Sequence, residues 1–234
     1  MEIPVMTSYP PTIGDSYGNG WKQLWKFFLE LFLIGIVFFL FSIPMSLPSW
    51  FGKITLNLED LEKFENPMRL PLIFFPYFIF LLVYGILLIN PLKYGIKYAY
   101  LKAARGGENI EVRDMFSFTA NYINCVFASL LSGFIIGIGV VFLIIPGIIF
   151  ACKLAFVPYL VIDKKMDAVA AIKASWDMTN GHTVDIFVMG LLAIPICIIG
   201  FIAFFIGIIP AVMWVRMSFA SLYHAVDRMK APKM

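Results

Sequence analysis

The chain has 234 residues, is 61% hydrophobic and only 14% charged, and combines a formal net charge of +3 with a mean hydropathy of +0.86. Soluble domains carry about 25% charged residues, so this composition excludes a protein whose whole surface faces water. No block of basic residues interleaved with aromatics occurs, which leaves nucleic-acid binding without support.

Residues 1–18 hold prolines, glycines, serines and tyrosines and predict a flexible polar tail with no cleavable signal pattern. Gly20-Trp21-Lys22 opens a helix whose first turns carry Trp21, Lys22, Trp25 and Lys26, a composition suited to a membrane interface. The first span follows. Past Lys26, Glu30 is its only charge as far as Ser42. Residues 45–69 read as a loop, with Trp50 and Phe51 as interfacial anchors and an acidic stretch from Glu59 to Glu65 in which Leu58, Leu61 and Phe64 share a helical face.

The second span, residues 70–89, has no charge and meets Asn90-Pro91, where a helix is expected to end or kink. Lys93, Lys97, Lys102 and Arg105 then mark a helix leaving the membrane, which Gly106-Gly107 breaks. The third span, residues 119–145, stops at Pro146-Gly147. A shorter fourth, residues 148–162, is interrupted by Lys153 and Pro158. In the connector that follows, Asp167 can N-cap a helix with Val169, Ile172 and Trp176 on one side, and Asn180-Gly181 supplies a left-handed stop. A fifth span covers residues 185–209, Pro210 turns the chain, and residues 211–226 make a sixth. Each long run meets the length of about 20 residues that a hydrocarbon core requires. The runs are continuous rather than alternating, which excludes a β-barrel. The expected fold is therefore an all-α polytopic bundle of about six spans, one transmembrane domain over residues 19–228 with a short tail at 229–234.

Basic residues stay on the cytoplasmic side of short loops. With both ends inside, thirteen fall there (Lys22, Lys26, Lys93, Lys97, Lys102, Arg105, Arg113, Lys164, Lys165, Lys173, Arg228, Lys230 and Lys233) against Lys53, Lys63 and Arg69 outside. An internal echo accompanies this layout. At an offset of 64 residues Pro146 matches Pro210, Tyr159 matches Tyr223, Asp163 matches Asp227 and Lys164 matches Arg228, as expected of two related hairpins at about 119–163 and 185–227.

Ionisable groups inside spans are costly and therefore functional candidates. Lys153 and Arg216 fall at nearly equivalent places after Pro146 and Pro210, roughly 10 Å along their helices from the outer end. They either snorkel to the outer headgroups or face a polar cavity. Glu30 either pairs with Lys26 one turn earlier or forms a cation site. Asn121, Asn124, Ser129 and Ser132, with Gly133, Gly137 and Gly139, are expected to glue helices together or line a path. Lys164, Lys165, Lys173 and Trp176 mark a helix that can rest on anionic headgroups. Cys125, Cys152 and Cys197 read as packing residues. His182 reads as a solvated turn residue and His224 as an interfacial one. No metal-ligand spacing, GxSxG, P-loop or CxxC pattern occurs, so no cofactor, metal or catalytic residue is expected.

Gly20-Trp21-Lys22, Asn90-Pro91-Leu92 with Gly95, Arg105-Gly106, Asp114 with Phe116, Pro146-Gly147-Ile148, Asp163, and Ala168, Ala171 and Ser175 form a further pattern. Over residues 12–226 it resembles bacterial multi-span membrane proteins related to the membrane domain of glycerophosphoryl diester phosphodiesterases. The chain has no room for the soluble phosphodiesterase domain. The resemblance implies an integral protein of the bacterial cytoplasmic membrane with no assigned activity. The expected function is a non-enzymatic membrane component that interacts with lipids or other membrane proteins. The alternative is a small-solute or ion transporter using Lys153, Arg216 and Glu30.

Overall fold

The computed structural model describes residues 12–55, 69–107, 109–202 and 207–230, without the side chains of 46–55 and 69–74. The anchors Trp50 and Phe51 and the acidic stretch 59–65 lie outside the described side chains. Among the described residues every regular element is helical. Five helical runs are long and apolar enough to cross a membrane: Phe28–Met45, Phe75–Ala104, Val112–Phe142, Ile144–Asp163 and Thr183–Ile202. The stretch read as a sixth span lies in a helix outside this set.

Helix α1, Ile13–Lys26, starts within the expected tail because Thr12 caps it, its hydroxyl accepting the Asp15 N–H at 3.3 Å. The chain bends at Phe27 into α2, Phe28–Thr55. Helix α3, Arg69–Tyr84, does not end at Asn90-Pro91. A π-helical turn, Gly85–Ile89, carries it directly into α4, Asn90–Ala104. Pro91 has no N–H for the Leu87 carbonyl and its ring crowds that carbonyl. A wider turn relieves the clash, and the Tyr122 hydroxyl donates to the freed Leu87 oxygen at 2.7 Å.

Gly106, at φ +75°, closes α4. A 3₁₀ helix, Val112–Asn121, folds back along α4 and leads into α5, Tyr122–Phe142. The return is close because Gly95 has no side chain: a Cβ there would lie 1.8 Å from the Met115 carbonyl oxygen. Helix α6, Ile144–Lys153, forms a hairpin with α5, and α7, Val157–Asp163, continues it after a break. Pro158 lies in the first turn of α7, and the Val157 N–H bonds to Leu154 at 3.2 Å, leaving the Lys153 carbonyl to the Ser175 hydroxyl at 2.7 Å. Helix α8, Ala168–Met178, carries that serine. Its cap is Asp167, whose carboxylate accepts the Val169 N–H at 3.1 Å. Gly181, at φ +88°, supplies the expected left-handed turn. Helices α9, Thr183–Ile202, and α10, Ile208–Lys230, form the last hairpin, and α1 packs along α10, with Gly20 against Ser218.

Burial is uneven along the molecule. Leu24, Leu31, Leu101, Phe156, Leu160, Met217, Leu222 and Tyr223 are fully buried where α1, α2, α4, α7 and α10 converge. Away from that core Phe39, Phe78, Phe134, Val141, Phe142 and Ile202 project outward. An apolar surface of this extent is far beyond what a water-facing monomer carries, and it fits hydrocarbon. Small residues close the two hairpins, Gly139 against Gly147 and Gly200 against Ala211. Gly133 and Gly137, expected in the same role, face open space.

Candidate functional site

The sequence-derived polar residues do not gather in one place. Glu30 sits in the first turn of α2, where the helix dipole favours an acid. Its expected partner Lys26 instead lies 4.8 Å over the Phe27 ring, and no ion pair joins the two. Asn121 is a clamp: its amide donates to the Val161 and Met166 carbonyls at 3.0 and 3.2 Å, and its oxygen accepts from Asn124 at 2.8 Å. Asn121 thus ties the start of α5 to α7 and the connector after it, and Asn124 holds the Asn121 amide in place.

Lys153 does not share a cavity with Arg216. It bonds the Asn180 side chain and lies 5.7 Å over the Trp176 ring. Trp176 in turn contacts Phe150 across the α6–α8 interface, so it is a packing residue as much as a surface one. Lys165 and Lys173 are exposed, as a headgroup-facing helix requires, and Lys164 pairs with Asp227. On α8 the small residues Ala168, Ala171 and Ser175 are buried, while Val169 is exposed.

Two constellations were not legible. The first is a polar clamp. Arg105 forks onto Asp163 with N–O distances of 2.6 and 2.7 Å and donates through Nε to His224 Nδ1 at 3.4 Å. Tyr223 donates to the same carboxylate at 3.3 Å. Burial works against the Arg105 charge, but the hydrogen bonds and field of Asp163 outweigh it and leave its pKa above the ordinary value. His224, read as interfacial, is only 6% exposed. His182, read as solvated, pairs with Asp185 at 3.1 Å. The echoed residues meet here as well: the Tyr159 and Tyr223 rings stack at 4.8 Å, and Lys164 of one hairpin pairs with Asp227 of the other. This clamp binds α4, α7 and α10 into one unit.

The second constellation is a cavity of about 420 Å³ whose lining includes Lys93, Lys97 and Arg216 together with Tyr100 and Tyr159. Lys97 lies 5.7 Å from the Tyr159 ring centre, and Tyr100 lines the cavity together with Arg216. None of the three cations has a carboxylate partner among the described residues. Arg216 therefore stands beside Lys93 and Lys97, from which the sequence reading separates it across the membrane, so those two assignments do not hold together. The missed signal was the spacing of Lys93, Ile96, Lys97 and Tyr100, which puts them on one helical face. Next to this cavity runs a groove of about 580 Å³ between α2 and α10, and Phe38, Tyr100 and Arg216 line both.

Among the described residues no cluster of His, Cys, Asp and Glu could hold a metal. No known protein family, curated protein or solved structure matches the chain.

Proposed function

We propose that this chain is a multi-pass membrane protein with a non-catalytic role, interacting with lipids or with other membrane proteins. The observation that carries the reading is how its polar groups are used. Arg105, Asp163, Lys102, Asp114, Lys164 and Asp227 are consumed in ion pairs, and the cavity at Arg216 is lined by cations and tyrosines without a carboxylate or a histidine. The finer reading places six crossings in a bacterial cytoplasmic membrane with both ends inside, similar in layout to the membrane domain of glycerophosphoryl diester phosphodiesterases. Gly20, Gly95, Arg105, Asp114 and Asp163, among the residues on which that resemblance rests, act in this chain as packing and pairing residues.

Purification in mild detergent, followed by identification of retained lipids and proteins, tests the proposal. A defined lipid or partner at fixed stoichiometry is expected; bulk membrane composition with no partner overturns it. Transport is the second reading, favoured by the cavity at Arg216. Lys153 and Glu30 lie elsewhere, and solute flux in proteoliposomes separates the two.

A further inference from the structure

We infer that the Lys93–Lys97–Arg216 cavity and the α2–α10 groove form one site for an anionic phospholipid, its phosphodiester among the cations and an acyl chain along the groove. The inference rests on the lipid-interacting reading above and names its ligand class.

Charge makes the first part of the case. The field of Arg216 and Lys93 acts on Lys97, and like charges sharing one site oppose each other unless an anion joins them. Lys102, Arg105 and Lys164 have carboxylate partners, whereas these three have none among the described residues. The cavity is thus electrostatically complementary to a phosphate. Its volume falls in the range of about 300–1,000 Å³ usual for small-molecule sites.

The groove supplies the second part. Leu31, Phe32, Ile36, Phe39, Val212 and Met213 give it apolar walls, and it begins where the cavity ends. A free anion has no use for such a groove, and a neutral lipid has no use for three cations. Lys93 follows the stretch 70–89, read as the second span, by one turn, and basic pockets between membrane helices recognise anionic headgroups.

The test uses the full chain in nonionic detergent and native mass spectrometry, with phosphatidylglycerol, phosphatidylcholine of the same chains, and inorganic phosphate as probes. Wild type is expected to retain one phosphatidylglycerol at least about tenfold more tightly than phosphatidylcholine, which shares the phosphodiester but brings a choline cation beside three like charges. Lys97→Gln combined with Arg216→Gln should abolish the preference. Lys22→Gln combined with Arg113→Gln, both exposed, should preserve it. Gly35 lines the groove and has open space around a Cβ, so Gly35→Phe fills the chain site without touching a charge. It should release the lipid too, and it decides the matter if the cation variant fails to fold. Equal retention of both lipids, or phosphatidylglycerol held by the cation variant or by Gly35→Phe, overturns the site. Displacement by equimolar phosphate, or an acidic protein found in place of lipid, does so as well. If lipid still binds in either of those cases, the proposed function survives; if wild type retains neither lipid nor partner, both readings fall together.

Discussion

A hydroxyl placed against a carbonyl that proline has stripped of its partner recurs in this molecule. Tyr122 serves Leu87, four residues before Pro91, and Tyr77 donates at 2.9 Å to the Pro44 carbonyl, four residues before Pro48. In hydrocarbon no water replaces such a bond. Tyr122→Phe removes only the hydroxyl and should cost about 1–2 kcal/mol, the penalty of an unsatisfied carbonyl. Thermal unfolding in detergent measures it, with Tyr98→Phe, whose hydroxyl has no such acceptor, as the comparison expected to change little. At the clamp, Arg105→Gln leaves Asp163 without its fork. The loss should be about 2–3 kcal/mol, below the fully buried limit because the Arg105 side chain is 26% exposed. Arg105→Lys should recover only part of it, since a lysine cannot fork. If both variants melt with wild type, the clamp is ornamental.

Between helices the decisive groups are small rather than polar. A Cβ on Gly139 would lie 2.9 Å from Gly147 Cα, so Gly139→Ala must push the α5–α6 hairpin apart. Gly133→Ala on the same helix meets nothing, and should be neutral or gain up to about 1 kcal/mol from helix propensity. The pair separates backbone approach from composition, and equal melting temperatures would contradict the hairpin packing. Signals confined to one turn were legible in the sequence: the Asp167 cap, the Gly181 stop and the apolar runs; the Pro146-Gly147 stop was misplaced, since the chain breaks at Leu143 and both residues lie in the first turn of α6. What was not legible depends on partners distant in the chain. Pro91 looks like a terminator until Tyr122 is in place, and Asp163 looks like a loop acid until Arg105 reaches it from 58 positions away. Gly133 and Gly139 read alike in the sequence, because only the partner helix tells them apart.

At the scale of the whole molecule the question is which groups share a side of the membrane. Hydropathy places a turn near Pro210, which lies in the first turn of α10, but does not fix how far along the molecule that turn sits. Counting from it put Arg216 in the outer half, while the charge rule put Lys93 and Lys97 inside. Those assignments would separate them by much of a hydrocarbon core of about 30 Å, yet the three residues line one cavity. The packing of α10 against α4 and α1 sets the depth instead, and α1 and the final turns of α10 lie together at the end that holds the clamp. Membrane-impermeant thiol reagents check this. In a background with Cys125, Cys152 and Cys197 replaced, Lys93→Cys and Arg216→Cys should label from the same face of inverted or right-side-out vesicles. Reporters joined to the two ends should report that face too. Labelling of the two cysteines from opposite faces would dismantle the shared cavity. Labelling of both from the outer face would keep the cavity and reverse the orientation that the thirteen basic residues imply.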